Sequence, residues 1–70
     1  MMKMVIKMEM TIKISNIGIG YNITIIAEST DLPIIVQKSK VYSDLSNFDD
    51  LRQSVVNEFT SMVREYNDKT

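Results

Sequence analysis

From Met2 to Ile14 every even position is apolar: Met2, Met4, Ile6, Met8, Met10, Ile12 and Ile14. The odd positions between them are Lys3, Val5, Lys7, Glu9, Thr11 and Lys13, polar with the single exception of Val5. A two-residue period held this long demands a β-strand with one buried and one wet face. At ~3.3 Å per residue the whole run would exceed ~40 Å, longer than a small sheet needs. Pairing is therefore expected mainly after Met4, with a bend, a bulge or a frayed start.

Ser15-Asn16-Ile17-Gly18-Ile19-Gly20 supplies residues that tolerate positive φ, so the chain should reverse there. Alternation resumes over 21–29, where Tyr21, Ile23, Ile25 and Ala27 share one face and Asn22, Thr24, Ile26 and Glu28 the other. Thr30-Asp31-Leu32-Pro33 makes a second turn, and 34–42 reads as a third strand, rich in β-branched residues. There Ile34 and Val36 share a face with Lys38, Lys40 and Tyr42 while Ile35 and Val41 fall on the other, an irregular pattern that suggests a mid-strand bulge or a two-sided role. After the polar stretch 43–47, Phe48, Leu51, Val55, Val56, Phe59, Met62, Val63 and Tyr66 recur at spacings of three and four, predicting one amphipathic helix over about 47–67. Ser46 or Asn47 would cap it, and Asp49 and Asp50 would place negative charge in its first turn. The sum is a single α+β domain over 1–70: a three-stranded antiparallel meander with one C-terminal helix, β-β-β-α. The helix is expected across the even face of the first strand, leaving the odd face of the sheet open.

Composition narrows the chemistry. The 70 residues contain no Cys and no His, so there is no thiolate, disulfide, imidazole base or Cys/His metal site. A domain this small retains only ~3–5 kcal/mol of net stability from its core. Gly18-Ile19-Gly20 precedes a strand rather than a helix and reads as a hairpin, not a phosphate cradle. Asp44, Asp49 and Asp50 lack the alternating ligands and central Gly of a calcium loop. Neither a metal nor a cofactor is expected, no hydroxyl has an evident base, and the protein is expected not to be an enzyme. Five of the six Met, namely Met2, Met4, Met8, Met10 and Met62, fall on core positions. The N-terminal stretch is punctuated by charge, and the longest uncharged run, 14–27, is short and broken by polar residues. No export signal or membrane span is expected, and a cytoplasmic location in a bacterial or archaeal host fits.

Charge is split along the chain. Five Lys against three acidic residues give +2 over 1–43, and two Arg with one Lys against six acidic residues give −3 over 44–70. Two macromolecule-facing surfaces follow. The acidic back of the helix carries Asp50, Ser54, Asn57, Glu58, Ser61 and Glu65 and would suit a basic protein partner. The open sheet face carries Lys3, Val5, Lys7, Lys13, Ile26 and Ile35, with Val41 beside them, an apolar patch ringed by Lys. That face, or the edge of the first strand, could meet a protein or a second copy of the chain. Lys3, Lys7 and Lys13 with Lys38 and Lys40 offer the alternative of nucleic-acid binding. No small-molecule substrate is expected.

The β-β-β-α order resembles the second part of double-stranded RNA-binding domains, in which a Lys-rich helix start meets phosphates. Here that position reads Asp49-Asp50-Leu51-Arg52-Gln53, two carboxylates where the family has cations, and no helix is read ahead of the first strand. In size and charge the chain also resembles the small accessory proteins of phages and mobile elements, anti-CRISPR inhibitors among them. That resemblance implies a protein that binds a host macromolecule and blocks it without chemistry.

Overall fold

The computed structural model describes residues 7–68. Three antiparallel strands, β1 (Met8–Asn16), β2 (Tyr21–Ser29) and β3 (Ile35–Tyr42), form an open sheet in the order β1-β2-β3, and the helix α1 (Asp49–Asp68) packs on one face. This is the expected α+β, β-β-β-α architecture. The part of the expected first strand at 2–6 lies outside the described residues.

Register is unbroken in both pairs. Met10 faces Ala27, Ile12 faces Ile25 and Ile14 faces Ile23 across β1–β2, while Ala27 faces Val36, Ile25 faces Lys38 and Ile23 faces Lys40 across β2–β3. The mid-strand bulge expected in β3 is therefore absent. Lys38, Lys40 and Tyr42 keep the face of Val36 because they have partners on the helix, so the irregular polarity needs no slip of the backbone.

The β1–β2 hairpin closes through Ile17 and Gly20, whose N–H···O bond is 3.0 Å, around the pair Gly18-Ile19. Gly18 has φ +87, a conformation that glycine adopts without the penalty of a side chain. Asn16 Oδ1 accepts the Gly18 N–H at 2.9 Å, fixing the entry to the turn. Between β2 and β3, Ser29 Oγ accepts the N–H groups of Asp31 and Leu32, and the Ile34 N–H reaches back over Pro33 to the Leu32 carbonyl at 2.7 Å. Proline's fixed φ suits that three-residue turn. The helix begins where Asn47 Oδ1 accepts the Asp49 N–H at 3.0 Å and the Phe48 carbonyl accepts from Leu51 and Arg52. Asn47 rather than Ser46 is thus the polar residue at the start; the Ser46 hydroxyl is turned onto Asp44.

The core joins Ile23, Ile25 and Ala27 of β2 and Ile34 and Val36 at β3 to Leu51, Val55 and Phe59 of α1. It departs from expectation in one respect. The helix does not lie over β1: it crosses β2 and β3, and no Cα of α1 comes within 8 Å of a β1 Cα. A helix about 10 Å across covers roughly two strands spaced ~4.8 Å apart, so one strand of three must stay bare. The side chains at the β3 edge decide which. Lys40 Nζ meets Asp50 Oδ2 at 3.0 Å, Lys38 Nζ donates to Ser54 Oγ at 2.8 Å and lies 3.4 Å from Glu58 Oε1, and Tyr42 Oη donates to Asp50 Oδ1 at 2.8 Å. Residues 50, 54 and 58 form one flank of the helix, so these bonds draw that flank to β3. Exposed ion pairs contribute little to total stability; here they hold that flank of α1 beside β3.

Candidate functional site

Because α1 sits over β2 and β3, the even face of β1 is left open. Met8, Ile12 and Ile14 are 39, 42 and 48% exposed, although they share a face with the fully buried Ile23 and Ile25. Met10 alone of this row packs against the core. By helical spacing, Val56 and Val63 occupy the flank of α1 opposite Asp50, Ser54 and Glu58, and both are only half-buried. On this side of the molecule the apolar row of β1 and the apolar flank of α1 are both incompletely covered. The strand carrying that row is also one of the two edges of the sheet. Alternation in 2–14 pointed to these residues, but as core, and only the position of the helix turns them into surface.

The acidic flank of α1 has a different character. Asp50, Ser54, Asn57, Glu58 and Ser61, five of the six residues expected there, line one shallow trough of about 680 Å³ with Lys38 and Gln53. The sixth, Glu65, lies beside a smaller hollow with Pro33, Ile34, Met62 and Tyr66. Asp50 and Glu58 are already engaged by Lys40 and Lys38, which partly neutralises this surface. Lys40 and then Tyr42, both bonded to it, hold the Asp50 carboxyl below the ordinary carboxylate range. The same contact raises Lys40, while Tyr42 is raised first by desolvation and then by Asp50.

These shifts have a defined pH signature. In the unfolded chain Asp50 returns to about 4, so between its folded and unfolded values the unfolded state binds more protons and stability rises with pH. The contribution is complete above about 4 and is lost as pH falls through the folded value. Asp50→Asn should flatten the acid limb of a stability-against-pH curve, measured by urea unfolding from about pH 5 down to about pH 2. An unchanged slope would show that the Asp50 network is not populated in solution. For Lys40 and Tyr42, raised in the fold, the sign is opposite: their contribution is complete below the unfolded values and is lost as pH rises through the folded ones.

On the odd sheet face, Glu9, Thr11 and Lys13 of β1 stand opposite Glu28, Ile26 and Thr24. Ile26 and Ile35 are diagonal neighbours, but Val41, opposite Asn22, is separated from them by the Thr24–Ser39 row, whose hydroxyls bond at 2.7 Å. The apolar patch expected there is thus interrupted by polar side chains. Lys7 and Lys13 are exposed, whereas Lys38 and Lys40 lie on the opposite face against α1, so the expected five-lysine surface is divided between two sides. Lys3 and Val5 lie outside the described residues.

Asp44, Asp49 and Asp50 do not converge: Asp44 bonds Ser46, Asp49 pairs with Arg52 at 2.7 Å and Asp50 turns to β3. Among the described residues no three acidic side chains gather at metal-binding distance. No helix among them is long and apolar enough to cross a membrane.

Compared with known proteins, the chain matches no family model, and neither the curated proteins nor the solved structures give a significant match.

Proposed function

We propose that the protein is a non-enzymatic protein-interaction module whose contact surface is β1, through its free edge and its uncovered apolar face. The observation that carries this is the exposure of Ile12 and Ile14 directly opposite the fully buried Ile25 and Ile23 of β2, with Met8 exposed in the same row. An apolar row beside a free strand edge combines two modes of recognition: main-chain pairing supplies affinity and the side-chain row supplies selectivity. Exposed apolar side chains in a continuous row, rather than singly, mark such surfaces.

The acidic flank of α1 supports a second role, contact with a basic partner, as an inhibitor of a host macromolecule would make. What favours it is the concavity that Asp50, Ser54, Asn57, Glu58 and Ser61 share. It ranks lower because Lys38 and Lys40 already occupy two of its carboxylates.

Paired variants separate the two. Affinity capture from source cells should lose its specific partner with Ile12→Lys/Ile14→Lys, while Ser54→Lys/Ser61→Lys leaves capture unchanged. Capture that survives the β1 variant and fails with the helix variant would transfer the function to the acidic flank.

A further inference from the structure

We infer that a second copy of this chain pairs with β1, antiparallel about a two-fold axis at Thr11. The inference rests on β1 being the contact surface and adds the occupant and the register.

The backbone restricts the choice first. Lys7 accepts from Thr30 at 3.4 Å, and Ile17 donates to Gly20 at 3.0 Å, so odd residues of β1 turn their peptide groups toward β2. By the two-residue alternation of an antiparallel ladder, the peptide groups of Met8, Met10, Ile12 and Ile14 point to the open edge. Two-fold pairing of identical strands must be antiparallel, with even residues forming the hydrogen-bonded pairs across the edge. Three registers centre the contact on the middle of the strand, with the axis at Met10, Thr11 or Ile12.

Charge distinguishes them. Glu9 and Lys13 have no ionic partner in the chain among the described residues, and Glu9 stands directly opposite Glu28, a like-charge pairing that costs stability in a sheet. With the axis at Thr11, Glu9 of each copy faces Lys13 of the other. These are non-hydrogen-bonded pairs, the type in which side chains approach closest. Each Lys13 then offsets the repulsion between Glu9 and Glu28. On the other face Met10 meets Ile12 and Met8 meets Ile14, twice each, so the two apolar rows merge into one. An axis at Met10 would set Lys7 against Lys13, and an axis at Ile12 would set Glu9 against Ser15 and Lys13 against Thr11. Only the Thr11 register satisfies both charges and aligns both apolar rows.

The product is a six-stranded sheet in the order β3-β2-β1-β1-β2-β3 with both helices on one face. Its single continuous ladder removes the free β1 edge from both copies.

The test is a charge-swap cycle followed by light scattering or sedimentation over a range of concentrations. The wild-type chain should show a dimer mass that dissociates on dilution. Glu9→Lys and Lys13→Glu should each weaken it about tenfold, since each replaces two attractive cross-strand pairs with two repulsive ones. Glu9→Lys/Lys13→Glu should restore it. Met8→Pro removes an outward-facing donor while sparing bonds to β2, and should also weaken the dimer. All these positions are exposed on β1, so circular dichroism of the variants should match the wild type. A monomer at every concentration, or a dimer indifferent to both single swaps, overturns the inference. If the chain is monomeric and yet Ile12→Lys/Ile14→Lys abolishes partner capture, self-pairing fails while β1 remains the contact surface. If neither mass nor capture responds to that variant, both fall.

Discussion

Ile25→Ala should destabilise the fold by about 3–4 kcal/mol, and Ile12→Ala, its direct partner across the β1–β2 ladder, by less than about 1 kcal/mol. Ile25 is on the central strand, fully buried under the helix with Val55 and Phe59 in the same cluster. Removing its outer carbons leaves a cavity that the flanking strands are too constrained to fill. Ile12 bears the same side chain on the same sheet face, one strand away, but is 42% exposed and already lacks a neighbour above it. For a domain with ~3–5 kcal/mol in hand, the first variant should be substantially unfolded at room temperature while the second stays native. Urea denaturation followed by circular dichroism, at a concentration low enough for a monomer, measures both. Equal losses at the two positions would mean that α1 covers β1 in solution, which would remove the exposed row.

That contrast also marks the boundary of what sequence patterning can disclose. Alternation in 8–14 and 21–27 identified the faces correctly, because a strand's side-chain period is a local property of the backbone. The helix stripe through Leu51, Val55 and Phe59 was legible for the same reason. What patterning does not contain is the lateral position of one layer on another. Three strands offered the helix more apolar surface than one helix can cover, and the choice was made by Lys38, Lys40 and Tyr42, whose placement among apolar residues looked like an irregularity. Read alone, each was an exposed cation or phenol on an edge strand. Their role depends on Asp50, Ser54 and Glu58, which lie further along the chain in another kind of element. The acidic flank was likewise visible as a set of residues, but its partial neutralisation was not. The apolar row of β1 was read as interior for want of the same fact.

The surface left over has consequences beyond stability. A short sheet with a long free edge is at risk of uncontrolled pairing unless the edge is protected or used. The β3 edge has Pro33 at its approach, and its two lysines are tied down on the helix side. The β1 edge has no proline and carries Glu9 and Lys13 spaced symmetrically about Thr11, a distribution that favours the antiparallel register about Thr11 and, with Lys7, penalises the one about Met10. Charge used in this way selects a partner more than it strengthens binding.

Gly20→Ala is expected to cost about 2–3 kcal/mol, more than Gly18→Ala at about 1–2 kcal/mol, although Gly18 has the positive φ typical of a turn glycine. The two glycines do different things. At Gly18 nothing lies within 4 Å of the place a methyl group would take, so the penalty is only that of holding an L-residue at φ +87. Asn, which tolerates that conformation better, should recover part of it. At Gly20 a Cβ would collide with the Tyr42 carbonyl oxygen and crowd its carbonyl carbon. A backbone carbonyl at the end of β3 cannot swing aside as a flexible side chain would. Relief requires moving Tyr42, whose ring packs edge-on to Phe48 at 6.5 Å and whose hydroxyl donates to Asp50. A methyl group at the β1–β2 turn is thereby felt at the start of the helix, and Gly20→Ala should weaken the Tyr42–Asp50 contact as well as the fold. In urea unfolding against pH, the alanine variant should then show the flattened acid limb of Asp50→Asn, whereas Gly18→Ala should keep the wild-type slope. If both glycine variants lose the same stability and retain that slope, Gly20 serves only the turn, and the close approach to Tyr42 has no part in seating the helix over β3.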